Sequence, residues 1–290
     1  MKIWSVESNR QMLDGGAMFG NAPKALWSRW IEPDEIGRIP LACRCFLLEL
    51  EGKIVLLEAG IGAFFEPKLA DRFGVQSPGT HQLLENLEAL GFKEQDIDIV
   101  ILSHLHFDHA GGLLPTYQEI QDSGERLLFP NATYVVGHSA WDRALNPHFR
   151  DKASFVPALN HLLQNCGRLQ LVNPETDTLL GNKIRFVTSS GHTPGQIHTV
   201  VSGNSGAKAF FAGDLIPGRH WVHIPITMGY DRYPEKLIDE KNLLYKSVVD
   251  ENWLVLYTHD SEFSCSYVRQ DNKDRYTFFE PSEQLTGFEL

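Results

Sequence analysis

The sequence predicts an α/β (α+β) fold in a single domain spanning 1–290, on three observations. Short β-branched apolar runs alternate with amphipathic segments, and one helical stretch leads into an apolar strand in β-α-β order. An internal echo suggests two halves: Gly52-Lys53 to Glu58-Ala59-Gly60 resembles Gly206-Ala207-Lys208 to Ala212-Gly213-Asp214, each a hairpin, an apolar strand and then a carboxylate beside glycine. No low-complexity linker divides the chain.

Taken in order, Lys2 to Val6 reads as a short strand, and Met12 to Asn21, with Gly15, Gly16 and Gly20, as a tightly turning loop. Arg44 to Leu50 and Lys53 to Glu58 are apolar runs joined by Glu51-Gly52, a hairpin signal. Thr80 to Leu90 carries Leu83, Leu84, Leu87 and Leu90 on one stripe and stops at Gly91, as an amphipathic helix does. Ile99 to Leu102 is a buried strand. Ala132 to Gly137 is another strand, and Ser154 to Asn165 a helix with Ser154 as its cap. Strands follow at Lys183 to Val187, Thr199 to Ser202 and Ala209 to Ala212. Tyr233-Pro234 opens a long helix to about Asn252, and Leu254 to Thr258 is the last core strand. Residues at about 8–40 and 262–290 are expected as appendages, a loop and a tail, the tail being either a hairpin or a partner-facing segment.

Composition narrows the class. With 42% hydrophobic and 22% charged residues the chain can bury a core. A formal charge of −11 without any basic run opposes a phosphate-backbone partner, so no nucleic acid is expected. No apolar stretch approaches the ~18 residues of a membrane span, and the N-terminus is interrupted too early for a signal peptide. A cytoplasmic location is expected. Cys43 and Cys45, two apart on an expected strand, would face one way into a core.

The chemistry lies in Ser103-His104-Leu105-His106-Phe107-Asp108-His109-Ala110-Gly111-Gly112, directly after the Ile99 strand. His104 and His106, two apart in extended chain, project to the same side. Asp108 and His109 follow where the chain turns, and the glycines would admit unusual backbone angles. Ligand-type residues this dense leave groups unpaired or repelling unless a cation joins them. Two pairs facing slightly different directions suit two adjacent metal ions.

His104-x-His106-x-Asp108-His109 resembles the HxHxDH signature of the metallo-β-lactamase fold hydrolases. The resemblance implies a four-layer αβ/βα sandwich and three further ligands, for which His192, Asp214 and His259 stand at the ends of apolar segments. His104, His106 and His192 would hold one ion, Asp108, His109 and His259 the other, with Asp214 bridging. The cofactors implied are two divalent ions, zinc first, with manganese, cobalt or iron also suited to nitrogen and oxygen donors. Such a pair shares a hydroxide of lowered pKa and aims it at a carbonyl or phosphorus centre. Asp108 and Asp214 would thus take part in catalysis. Glu58 occupies the place where the family usually has an aspartate behind a ligand histidine.

The ligand set and Gly213-Asp214-Leu215-Ile216 look closest to N-acyl homoserine lactone lactonases and methyl parathion hydrolase. That resemblance implies opening of a lactone or ester of a small molecule, a phosphotriester side activity and a homodimer. Where many lactonases carry a tyrosine after the bridging aspartate, this chain has Pro217-Gly218. Tyr230, His223 or His220 are the candidates to replace it. Met18, Phe19, Trp27, Phe107 and Trp221 are candidate substrate-pocket residues for an apolar acyl or aromatic group, with core packing the alternative for each, and His198 is a candidate support for His192. The rival readings are a glyoxalase II-like thioester hydrolase using Arg269, Lys273 and Arg275, an iron-dependent sulfur dioxygenase, and a non-catalytic ligand sensor.

Overall fold

A computed structural model describes residues 1–290. In chain order its strands are β1 (Lys2–Val6), β2 (Gln11–Asp14), β3 (Arg38–Leu41), β4 (Cys45–Leu50), β5 (Lys53–Leu57), β6 (Ile99–Ile101), β7 (Thr133–Gly137), β8 (Leu169–Val172), β9 (Thr178–Leu179), β10 (Ile184–Ser189), β11 (Gln196–Ser202), β12 (Lys208–Phe211), β13 (Leu254–Leu256), β14 (Cys265–Gln270), β15 (Tyr276–Ser282) and β16 (Phe288–Glu289). They form two seven-stranded sheets, ordered β16-β1-β4-β5-β6-β7-β8 and β15-β14-β13-β12-β11-β10-β9, and a two-stranded ribbon, β2-β3.

Strand alternation sorts the side chains into layers. Along β4, Phe46 and Leu48 enter the core between the sheets, whereas Cys45 and Leu47 face a second core outside. Phe46 meets Phe211 of the opposite sheet edge-on, with ring centroids 5.9 Å apart. Outside the first sheet lie the helices Gln82–Ala89 and Pro157–Asn165, contributing Leu83, Leu87, Leu159 and Leu163. Outside the second lies the helix Pro234–Asp250, whose Leu237, Leu244 and Val248 join Phe210 and Val255. This is the αβ/βα arrangement of the metallo-β-lactamase fold. The Glu51-Gly52 turn between β4 and β5 has positive φ at both residues (51° and 72°), matching the twist of a tight hairpin.

Several expectations are corrected. Met12 to Asn21 is not a loop: β2 pairs with β3, and a helix Gly15–Phe19 follows, its start held by Asp14 Oδ1 accepting from the Ala17 amide at 2.7 Å. A Cβ at Gly15 would lie 2.6 Å from the Trp27 ring, so this helix packs too closely for any other residue. Ser154 caps nothing; it ends a 3-10 turn, and the helix starts at Pro157, whose fixed φ suits the first position. Cys43 lies before β4 and packs in a different cluster from Cys45. The C-terminal residues do form a hairpin, β14 and β15, but it extends the second sheet and β16 closes the first against β1, so the tail is no appendage.

Candidate metal centre

The HxHxDH stretch leaves the buried end of β6, stays extended through His106 (φ −66°, ψ 151°) and turns into a short helix, Phe107–Ala110. Gly111 has ordinary helical angles, so the glycines serve close approach instead: a Cβ on Gly112 would lie 2.0 Å from the Ala59 carbonyl oxygen. His192 stands between β10 and β11, Asp214 just after β12 and His259 just after β13. The Ile197 amide of β11 donates to the Ser103 carbonyl at 2.9 Å, fastening the second sheet to the motif.

Two ligand clusters result. His104, His106, His192 and Asp214 form one, Asp108, His109 and His259 the other, and within each the donor atoms lie within 4.8 Å of one another. Asp214 faces both: its Oδ2 is 3.1 Å from His192 Nε2, and its Oδ1 is 3.3 Å from His109 Nε2 and 3.2 Å from His259 Nε2. Asp108 Oδ2 lies 3.5 Å from His259 Nε2.

The outer partners of the rings decide which nitrogen faces inward. His259 Nδ1 donates to the Ala42 carbonyl at 2.7 Å and His192 Nδ1 to Asp231 Oδ1 at 2.9 Å. Once deprotonated, each ring turns the lone pair of Nε2 into the centre. There His192 Nε2 meets His106 Nδ1 at 3.2 Å and His259 Nε2 meets His109 Nε2 at 3.3 Å. His104 Nε2 and Asp214 Oδ1, both buried, have no hydrogen-bond partner. Converging lone pairs and orphaned buried acceptors are costly unless a cation joins them, so the donor set fits divalent metal ions.

Charge balance points the same way. Burial would raise the Asp214 carboxyl, but His109, His192 and His259 around it hold it well below the usual carboxylate range. Burial disfavours charge on His109, His192 and His259, yet Asp214 beside them raises all three. His104 is pushed well down by burial and then by the neighbouring His109. Behind His109, Glu58 Oε2 stands 3.7 Å from Nδ1 while Oε1 accepts from the Ser103 amide at 2.8 Å. Burial lifts this carboxyl to about 7, against the opposing pull of His109. Glu58 reaches His109 from a left-handed backbone, φ 65°.

The centre forms the floor of a cavity of about 680 Å³, lined by His106, Asp108, His192, Asp214 and His259 below and by Leu13, Phe64, Phe65, Phe73, Phe155 and Ile120 on its walls.

A sequence model described as the metallo-beta-lactamase superfamily matches residues 38–120, which include the whole HxHxDH motif. The chain carries the metallo-β-lactamase fold, and its residues 38–120 match the model of that superfamily. It is similar to an N-acyl homoserine lactonase of Bacillus thuringiensis, 21% identical over 274 residues covering 90% of this chain and 94% of that one. Among solved structures, a "probable metal-dependent hydrolase" from Staphylococcus aureus superposes with a TM-score of 0.83 at 26% identity over 96% of both chains. The dizinc quorum-quenching lactonase AidC superposes with a TM-score of 0.73 at 20% identity, over 97% of this chain and 94% of its own.

Within this fold the candidate substrate residues part company. Met18, Phe107 and Tyr230 line the cavity. Phe19, Trp27 and Trp221 do not; they stack together in the core behind it, Phe19 on Trp221 at 4.4 Å and on Trp27 at 5.8 Å. Trp221 turns its indole N–H to the Met18 carbonyl at 2.9 Å, which settles it inside. His223 also faces away from the cavity, beside Arg275 and Lys241, and His220 stacks on Trp30 at 5.4 Å. His198 bonds Ser189 Oγ at 2.8 Å and has no hydrogen bond to His192, whose partner is Asp231. Arg269 lies over the Phe279 ring and Arg275 pairs with Asp271, both remote from the cavity wall. Sequence reasoning missed Asp231 and Gln11, whose amide donates to Asp108 Oδ2 at 3.0 Å. It also missed the Phe64-Phe65 wall, a visible aromatic pair shortly after Glu58-Ala59-Gly60.

Proposed function

We propose that the protein is a dinuclear metal-dependent hydrolase that opens a lactone or cleaves an ester in a small molecule bearing an apolar acyl group. The observation that carries this reading is Asp214, which offers one oxygen to each ligand cluster at the floor of an apolar cavity. His104, His106 and His192 would hold one ion and Asp108, His109 and His259 the other, with Asp214 shared. When bound, two divalent ions supply Lewis acidity toward an acyl carbonyl and bring the pKa of water toward ~7.

The chain's own residues do the rest. Asp231 and the Ala42 carbonyl hold His192 and His259 in the tautomer that presents Nε2. Phe64, Phe65, Phe107 and Phe155 exclude water around the acyl chain and orient it by contact, since apolar burial favours the chain over solvent. Tyr230 stands on the wall with its phenol pushed up by burial and by the nearby Asp108, so at neutral pH it keeps the O–H proton and can donate it to a substrate oxygen. A thioester reading that relies on tail cations lacks support, because none of Arg269, Lys273 or Arg275 reaches this cavity. The aromatic stretch of Phe64, Phe65, Phe73, Phe107 and Phe155 suits an acyl group, while Arg72, Arg150, Glu66 and Glu125 add charge elsewhere on the lining.

The test is metal content by mass spectrometry on protein prepared without chelator, together with turnover of a panel of lactones and aryl esters. About two ions per chain, with turnover abolished in His106→Ala and Asp214→Ala, is the expected result. One iron per chain with oxygen consumption and no hydrolysis would overturn it.

A further inference from the structure

The two clusters are supported from different parts of the chain. His192 leans on Asp231, in the segment before the helix Pro234–Asp250, and His104 Nδ1 on Ser103 Oγ at 2.9 Å. The Asp108–His109–His259 cluster has Glu58, just after β5, behind His109, and its other two members lean on the β2-β3 ribbon and the residue that follows it. Gln11 pairs with Leu41 across that ribbon, and the next carbonyl, Ala42, receives the His259 Nδ1 proton at 2.7 Å. From the facing strand Gln11, wholly buried, sends its Nε2 to Asp108 Oδ2 at 3.0 Å. The reverse amide orientation would set an oxygen against the carboxylate, so the donor assignment follows from charge. Gln11 Oε1 has no partner, which means that the residue is held in place by its bond to Asp108 rather than by a network of its own.

A glutamine buried without full satisfaction costs stability. It gains a reason if the amide sets the rotation of Asp108. With Oδ2 engaged, the carboxylate keeps Oδ2 3.5 Å from His259 Nε2 and Oδ1 3.9 Å from His109 Nε2, so both oxygens stay turned toward the cluster. The same ribbon carries Leu13, two positions on, into the cavity wall.

We infer that Gln11 is a positioning residue for Asp108 and selectively sets the affinity of the Asp108–His109–His259 cluster for its ion. This rests on the dinuclear reading above. Loss of an outer hydrogen bond to a metal ligand commonly costs ~10–100-fold in affinity, and Gln11 touches only one of the two clusters. Removing it therefore splits two uptake events.

The test is titration of metal-free protein with zinc, followed by calorimetry and by mass spectrometry, for wild type, Gln11→Leu and Gln11→Asn. Leucine removes the donor at similar volume; asparagine keeps an amide but withdraws it by one methylene. Expected are two ions in the wild type, and in both variants one ion at wild-type affinity with the other at least ~10-fold weaker. Should Gln11→Leu fail to fold by circular dichroism, Gln11→Asn decides. Wild-type affinity for both ions in a folded variant overturns the inference and leaves the dinuclear reading standing. Equal weakening of both ions also overturns it, because it would mark a general structural role. A wild type that takes up no metal overturns the dinuclear reading and this inference with it.

Discussion

His192 and Asp231, 39 residues apart, are joined by a 2.9 Å bond from the ring Nδ1 to Oδ1, while the other oxygen of Asp231 accepts the Met228 amide at 2.6 Å. One carboxylate therefore fixes a ligand ring and the strip of cavity wall at Met228 to Tyr230. Asp231→Ala removes both bonds. The expected outcome is ~10–100-fold weaker uptake of an ion, read by competition with a chromogenic chelator, and a raised KM with it. Asp231→Asn keeps an oxygen for His192 but sets an NH2 against the Met228 N–H, so it should retain metal better than alanine while still disturbing KM. Equal metal affinity in all three proteins would exclude the orienting role.

Metal uptake should release protons. In the metal-free chain Asp214 raises His109, His192 and His259 against the effect of burial, whereas burial first, then neighbouring histidines, push His104 and His106 down. The latter two are already neutral at pH 7 and give up nothing. The former must lose their protons before Nε2 can bind an ion. Release is therefore largest where those rings are still protonated and shrinks as pH climbs through their raised values. Calorimetric zinc titration in two buffers of different ionisation heat, from pH 6 to pH 9, measures it. A proton count that is flat or grows with pH would contradict this electrostatic picture.

Ile120 on the cavity wall gives a steric test. Ile120→Trp adds bulk to an enclosed apolar space, and overpacking typically costs ~1–3 kcal/mol where the space is needed. Against a series of esters of rising acyl length, the longest should lose kcat/KM by ~10-fold or more relative to the shortest. A uniform change across the series would place the acyl chain elsewhere.

How much of this was legible in the sequence follows from range. Strands and the helix at Gln82–Ala89 could be read because period and punctuation are local signals, and the seven candidate ligands that the fold clusters could be picked out because the motif is dense and the others end apolar runs. Phe19, Trp27 and Trp221 stay open between cavity and core in the sequence, because an aromatic at a loop looks the same whether it lines a cavity or stacks behind one. Asp231 and Gln11 carry no local signal at all: each is polar, isolated and defined by a residue far away in the chain. A hairpin in the tail is legible, but its attachment to the sheets is hidden for the same reason, since the partners β13 and β1 lie outside the tail.

The helix Pro234–Asp250 makes the last prediction. Its Lys241 is wholly buried, with Nζ 2.7 Å from the Ile226 carbonyl, 2.9 Å from that of Trp221 and 3.4 Å from that of His223. It thus fastens the turn that leads to Met228 and Tyr230. Lys241→Met keeps the length of the chain but strands buried carbonyls, and should cost about 2–4 kcal/mol in urea unfolding of the metal-free protein. Burial, against the weaker pull of Asp231, lowers the amine to about 7. Unfolded, a lysine stays protonated to ~10.4. The unfolded state then binds more protons between these limits, so this group makes wild-type stability rise with pH from about 7 toward 10, by at most ~1.4 kcal/mol per pH unit. A neutral amine still has donors for its two shorter contacts, which is why the fold tolerates it there. Lys241→Met lacks this contribution, so the gap between the two proteins should widen as pH rises across that range. A gap that stays constant from pH 7 to pH 10 would show that the lysine remains charged among its carbonyls.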